Sequence, residues 1–139
     1  MRFFIMMLWS VIWLLLLLGT YMDLKTFYVP VKLILFLVLD WGLLVSLAPT
    51  SFFQEGFIPM LYGVSALLIY WIYPCMIGWV DVFLLFFFGT FFNLAQMHAM
   101  VCAACISGLM ITFCFRKQKI PFVPFLMLGS ILSIVMIPL

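Results

Sequence analysis

Four acids are spread through the 139 residues, Asp23, Asp40, Glu55 and Asp81, in a chain that is 70% hydrophobic and 7% charged. Against so apolar a background each acid calls for a reason. Two carboxylates held close together cannot both ionise cheaply, so they share a proton. The ionised member can then draw a proton from water while the protonated member polarises a carbonyl, the arrangement of an aspartic protease. Asp23 and Asp81 are the candidates. Asp23 stands ahead of Pro30 and Asp81 follows Gly78, and breaks of this kind let water and an extended peptide approach at membrane depth. Each residue also has a plainer reading. Asp81, ahead of an apolar run, is suited to cap a helix N-terminus, and Asp23 can pair with Lys25 or rest among lipid headgroups.

Asp40 is a different case, because it lies inside an apolar run. An aspartate there costs about 2.5–3.5 kcal/mol to insert into a bilayer, and such residues face the bundle interior and mark functional paths. The expected state is a protonated carboxyl hydrogen-bonded to a serine or tyrosine on another span; the alternative is a proton or ion path. Cys102-Ala103-Ala104-Cys105 has the Cys-x-x-Cys spacing, but a single copy within a span is weak evidence of metal or redox chemistry. Ala104 and Gly108, four apart, favour close helix packing there instead. Disulfides are not expected at Cys75 and Cys114, near the cytoplasmic ends of their spans. His98 and Gln96 are assigned no catalytic role. The abundant Met and Phe read as packing material, no cofactor or metal is expected, and nothing suggests a nucleic-acid partner.

The elements that must position these side chains follow from composition. A soluble domain needs a charged exterior, which this chain lacks, so the lipid bilayer is the expected surroundings. The chain has room for about six spans of roughly 18–20 residues, forming an all-α integral membrane bundle with short loops and a single unit over residues 1–139. The expected spans are Phe3–Thr20, Val31–Leu47, Phe57–Tyr73, Asp81–Phe92, Ala99–Phe115 and a last one from Ile120-Pro121 to the C-terminus. The run Phe3–Gly19 behind Arg2 is kept as a span rather than a signal peptide, since no convincing small-x-small cleavage site follows it. Lys25, Lys32, Arg116, Lys117 and Lys119 fall on the side of the odd-numbered loops, and Arg2 falls opposite. By the positive-inside rule the odd loops are cytoplasmic and both termini lie outside. Asp23, in the first loop, and Asp81, opening span four, then share the cytoplasmic face at one depth.

Three segments carry a family resemblance. Asp23-Leu24-Lys25-Thr26-Phe27-Tyr28-Val29-Pro30 resembles the first aspartate motif of the type IV prepilin peptidases. Gly78-Trp79-Val80-Asp81 resembles their second, Gly-x-Gly-Asp, and Lys119 to Gly129, with Ile120-Pro121-Phe122-Val123-Pro124-Phe125-Leu126 at its heart, is similar to their Ile-Pro-Phe-Gly-Pro-Phe-Leu signature. The resemblance implies a six-helix core in a bacterial cytoplasmic membrane that cleaves the basic leader from prepilin-like protein substrates. Asp23 and Asp81 would be the catalytic pair, with Lys25, Pro30, Gly78, Pro121 and Pro124 shaping the site.

The chain departs from the pattern at three places. Val80 replaces the second glycine of Gly-x-Gly-Asp, Phe83 stands where the family has lysine, and Val123 replaces the glycine between the two prolines. The loss of glycine removes backbone freedom and the loss of lysine removes a cation near a carboxylate. About ten residues separate spans one and two, which leaves no room for the family's cytoplasmic Cys-x-x-Cys insert, so no methyltransferase activity is implied. The competing readings are a catalytically inactive pilin-assembly factor and a small proton- or ion-coupled transporter component using Asp40.

Overall fold

The computed structural model describes residues 2–49, 57–73, 77–115 and 122–136. Its elements are α1 (Arg2–Thr26), α2 (Val31–Leu47), a 3-10 turn (Ile58–Met60) running into α3 (Leu61–Ile72), α4 (Trp79–Gly89), α5 (Leu94–Phe115) and α6 (Val123–Met136). Among the described residues there is no strand, and the six helices follow the expected order. Two of them, α1 over Phe3–Thr26 and α5 over Leu94–Cys114, are long and apolar enough to cross a membrane. Ile58–Ile72, Trp79–Gly89 and Val123–Met136 are apolar but shorter.

Four helix ends differ from expectation. α1 does not stop at Thr20 but continues to Thr26, so Asp23 is a helical residue rather than a loop residue. Nothing between Tyr21 and Thr26 breaks a helix, and the polar pattern there marks only a less apolar turn. The helix ends at Phe27, whose φ of 53° is left-handed, with the Thr26 hydroxyl donating to the Met22 and Tyr28 carbonyls. Pro30, at φ −67°, then starts α2, where its missing N–H costs nothing.

α4 ends at Gly89 rather than Phe92, and α5 starts at Leu94 rather than Ala99. Gln96 and His98 are therefore inside a helix. Asn93 and Gln96 explain the early start. The Gln96 N–H donates to Asn93 Oδ1 at 2.8 Å and the Asn93 N–H donates to Gln96 Oε1 at 3.1 Å, a reciprocal capping box. α6 starts at Val123, two residues beyond its expected Pro121, with the Phe122 carbonyl accepting the Phe125 and Leu126 N–H groups.

α5 packs along α6, α3 along α4, and α1 against both α2 and α6. Between α5 and α6 the contact depends on small residues: Ala104 is fully buried, and the place a side chain would take at Gly129 is filled by the Met100 backbone carbonyl. Small residues let the two helix backbones approach this closely. The turn from α4 into α5 holds an aromatic cluster. Phe87, Phe88, Phe91 and Phe92 stack or meet edge-on, and Trp9 of α1 joins at 5.3 Å from Phe91. Trp41 of α2 donates its indole N–H to the Thr90 hydroxyl at 3.1 Å, which ties α2 to the same end.

Candidate active site

The helices alternate in direction, so the C-terminal end of α1 and the N-terminal ends of α4 and α6 meet at one end of the bundle. Asp23 lies in the last turns of α1. Its Oδ2 accepts the backbone N–H of Val123, in the first turn of α6, at 3.3 Å. Asp81 lies in the first turn of α4 and reaches back to accept the Gly78 N–H at 3.1 Å. It does not occupy the N-cap position; Gly78 does, and Asp81 supplies the returning half of a capping box. A side chain at position 78 would stand about 3.0 Å from Asp81 Oδ2, so glycine there lets the carboxylate close on the backbone.

Both aspartates are 8% exposed. They line one cleft of about 970 Å³. Residues from opposite halves of the chain thus meet in a single space, as the alternation of helices implied. Beyond the carboxylates the cleft follows α3 and α5. Ala66 and Ile69 form part of one wall; Val101, Gly108 and Leu109 form part of the other. It extends as far as Tyr62, at the start of α3. The buried acid pair therefore lies at one end of a long, largely apolar groove.

The remaining predicted site residues take different places. Lys25 sets its Nζ 5.9 Å above the Tyr21 ring, while the Asp23 carboxylate takes the Val123 N–H, so the expected Asp23–Lys25 pairing is not what holds Asp23. Lys25 and Pro30 lie beside the cleft and do not line it; Phe27 and Val29, between them in sequence, do. Pro124 is buried in the first turn of α6, where proline is tolerated. Pro121 lies outside the described residues.

The three departures from the family pattern also have places. Val80 lines the cleft. Phe83 turns toward the core and stacks on Phe87 at 6.4 Å between centroids. Val123 contributes to Asp23 a main-chain N–H, a group that valine carries as well as glycine.

Two expectations are corrected. Asp40 is buried, but its Oδ2 has no hydrogen-bond partner, and the buried Ser130 and Ser133 hydroxyls donate to Met127 and Ser130 carbonyls of their own helix. The bond to a serine or tyrosine of another span, expected of this carboxyl, is not made by Oδ2. Packing explains Ala104 and Gly108, which are buried, but not Cys102 and Cys105, which are exposed. His98, assigned no catalytic role, has its Nδ1 2.6 Å from the hydroxyl of Tyr62, a cleft residue.

Sequence reasoning missed Tyr62, Ser65 and Thr112 as cleft residues. For α5 a signal existed, since Val101, Cys105, Gly108 and Thr112 recur at helical spacing. For Tyr62 and Ser65, polar residues in an apolar run, the face they present depends on where α3 docks. Comparison with protein-family models, curated proteins and solved structures finds no match for this chain.

Proposed function

We propose that the chain is a membrane-embedded aspartic endopeptidase that removes the cytoplasmic leader from prepilin-like precursors. The observation that carries the reading is the single cleft shared by the buried carboxylates of Asp23 and Asp81. The three motif resemblances name the substrate class. The apolar groove between α3 and α5 suits a precursor's hydrophobic helix, with the scissile bond beside the aspartates and the basic leader in water. In this reading the shorter helices cross the bilayer with their apolar flanks, the odd loops are cytoplasmic, and the protein is a multi-pass component of a bacterial cytoplasmic membrane with both termini outside.

The chemistry needs one proton between two carboxylates. The ionised aspartate takes a proton from water as its oxygen attacks the scissile carbonyl carbon, and the protonated aspartate donates a hydrogen bond to the developing oxyanion. Collapse of the tetrahedral species returns a proton to the leaving amine. The Val123 and Gly78 N–H groups fix the orientation of the two carboxylates while leaving their other oxygens for water and substrate. Either aspartate can fill either role, because a coupled pair titrates jointly.

Purified protein in lipid nanodiscs, incubated with a peptide joining a basic leader to an apolar helix, tests the reading. Cleavage at one bond that is lost in Asp23→Asn and in Asp81→Asn supports it. Cleavage that survives either change overturns it, and so does a protein that binds the peptide without cutting it, which is the assembly-factor outcome.

The unpartnered Asp40 oxygen favours a second reading, a component that carries a proton or ion through the bundle. Asp40→Asn would then abolish pH- or ion-gradient-driven flux into proteoliposomes, whereas the peptidase reading leaves cleavage by that variant largely intact.

A further inference from the structure

One residue of the cleft has a backbone that its side chain does not suit. Phe27 ends α1 at φ 53°, a left-handed conformation that is a true outlier for a bulky residue. Glycine or asparagine ends a helix there at little cost. The turn is nevertheless held firmly. The Phe27 N–H donates to the Asp23 carbonyl at 2.9 Å, and the Thr26 hydroxyl donates to the carbonyls of Met22 and Tyr28. The ring does not repay that strain by burial: it is 51% exposed, and it borders the cleft. Strain kept at such a place, beside two carboxylates, is a mark of use.

We propose that Phe27 is a specificity-determining residue: its ring forms the outer wall of an apolar subsite beside Asp23 and Asp81 and selects a bulky apolar side chain of the substrate. This assignment, which rests on the proposed peptidase activity, names what the site reads next to the bond it cuts. The other walls come from residues adjacent in sequence to the groups that hold the acids. Ile77 and Val80 flank Gly78, Phe122 precedes Val123, and Val29 follows Phe27 by two positions; all four line the cleft. Val29 is buried and Ile77, Val80 and Phe122 are half-buried, so Phe27 is the most exposed of the five. Val80, in the place of a glycine of the motif, adds apolar surface that glycine would lack.

The reach of the ring follows from chain geometry. Phe27 lies one helical turn beyond Asp23, and four residues of α-helix rise about 6 Å. An extended peptide covers that distance in about two residues. The selected side chain therefore stands within about two residues of the scissile bond.

The test uses the full chain in lipid nanodiscs and peptides that join a basic leader to an apolar helix. The junction residues are set to alanine and replaced one at a time by leucine. At one junction position leucine should raise kcat/KM over alanine by about tenfold, mostly through KM. Phe27→Asn should bring that ratio to about one while the thermal midpoint rises by about 2–4 °C, because asparagine tolerates the left-handed backbone. Phe27→Gly should lose the preference in the same way. A leucine preference that survives both substitutions overturns the proposal. So does a midpoint that falls in both, the mark of a ring that serves as an aromatic anchor at the membrane surface.

Equilibrium binding of the same peptides to Asp81→Asn, with and without Phe27→Asn, separates the subsite from the peptidase activity. Leucine-selective binding that depends on Phe27, with no cleavage by the unsubstituted chain, retains the subsite and refutes the peptidase. Cleavage without a Phe27-dependent preference does the opposite, and neither cleavage nor selective binding refutes both.

Discussion

The two ends of the bundle are built on opposite principles. At the end where α4 turns into α5, Phe87, Phe88, Phe91 and Phe92 meet at 4.9–5.6 Å between centroids. There Gly89 lies against the Met60 backbone, and Asn93 and Gln96 satisfy each other's N–H groups. At the other end, Asp23 and Asp81 have one main-chain donor each and open onto a cleft. The first end spends its sequence on contact and the second on access. Interiors this dense resist change, so under the proposed peptidase function an acid pair that admits water and a substrate belongs where packing has been relaxed.

That contrast can be broken from either end. The largest effect is expected from Asp81→Asn or Asp23→Asn: a loss of leader cleavage of at least about a thousandfold, equivalent to about 4 kcal/mol, with thermal unfolding of the detergent-solubilised protein nearly unchanged. Phe88→Ala should do the reverse. Phe88 is fully buried, and its truncation should cost about 3–5 kcal/mol of stability, read by denaturant titration, while protein that remains folded still cleaves.

Gly129→Ala should come next. Its new methyl group meets the Met100 carbonyl, so α6 must move off α5, at about 1–3 kcal/mol. Because α6 also carries the Val123 N–H that orients Asp23, this variant should lose some cleavage rate as well as stability, which would show the two ends to be mechanically joined. Asn93→Ala removes one arm of the capping box and should cost about 1 kcal/mol, with no change in cleavage rate; a change there would mean that the aromatic end feeds into the site. The pH profile of cleavage sharpens the comparison further. A pair that works with one shared proton should give a bell, falling on the acid side as both carboxylates protonate and on the alkaline side as both ionise.

The residue pattern made the helices legible because apolar runs and proline breaks are local signals. It also made the Asp23–Asp81 meeting legible, because alternating helices return to the same end whatever their packing. It misplaced Asp23 in a loop, since the polarity of Tyr21 to Thr26 looks like a break although no residue there stops a helix. It misread Cys102 and Cys105 as packing residues, because small-residue spacing does not say which side of α5 meets α6; Ala104 and Gly108 face that partner and the cysteines do not.

By itself the sequence determined an apolar all-helical chain, the order of its helices and the end of the bundle at which its two candidate acids lie, all of which follow from composition and chain parity. The tertiary structure decided what each side chain meets: that Val123 orients Asp23, that Phe83 stacks in the core, that Asp40 Oδ2 is left without a donor and that His98 stands between a tyrosine and a thiol. Those outcomes depend on the rotation of each helix about its own axis, and that rotation is fixed by contacts between segments far apart in the chain.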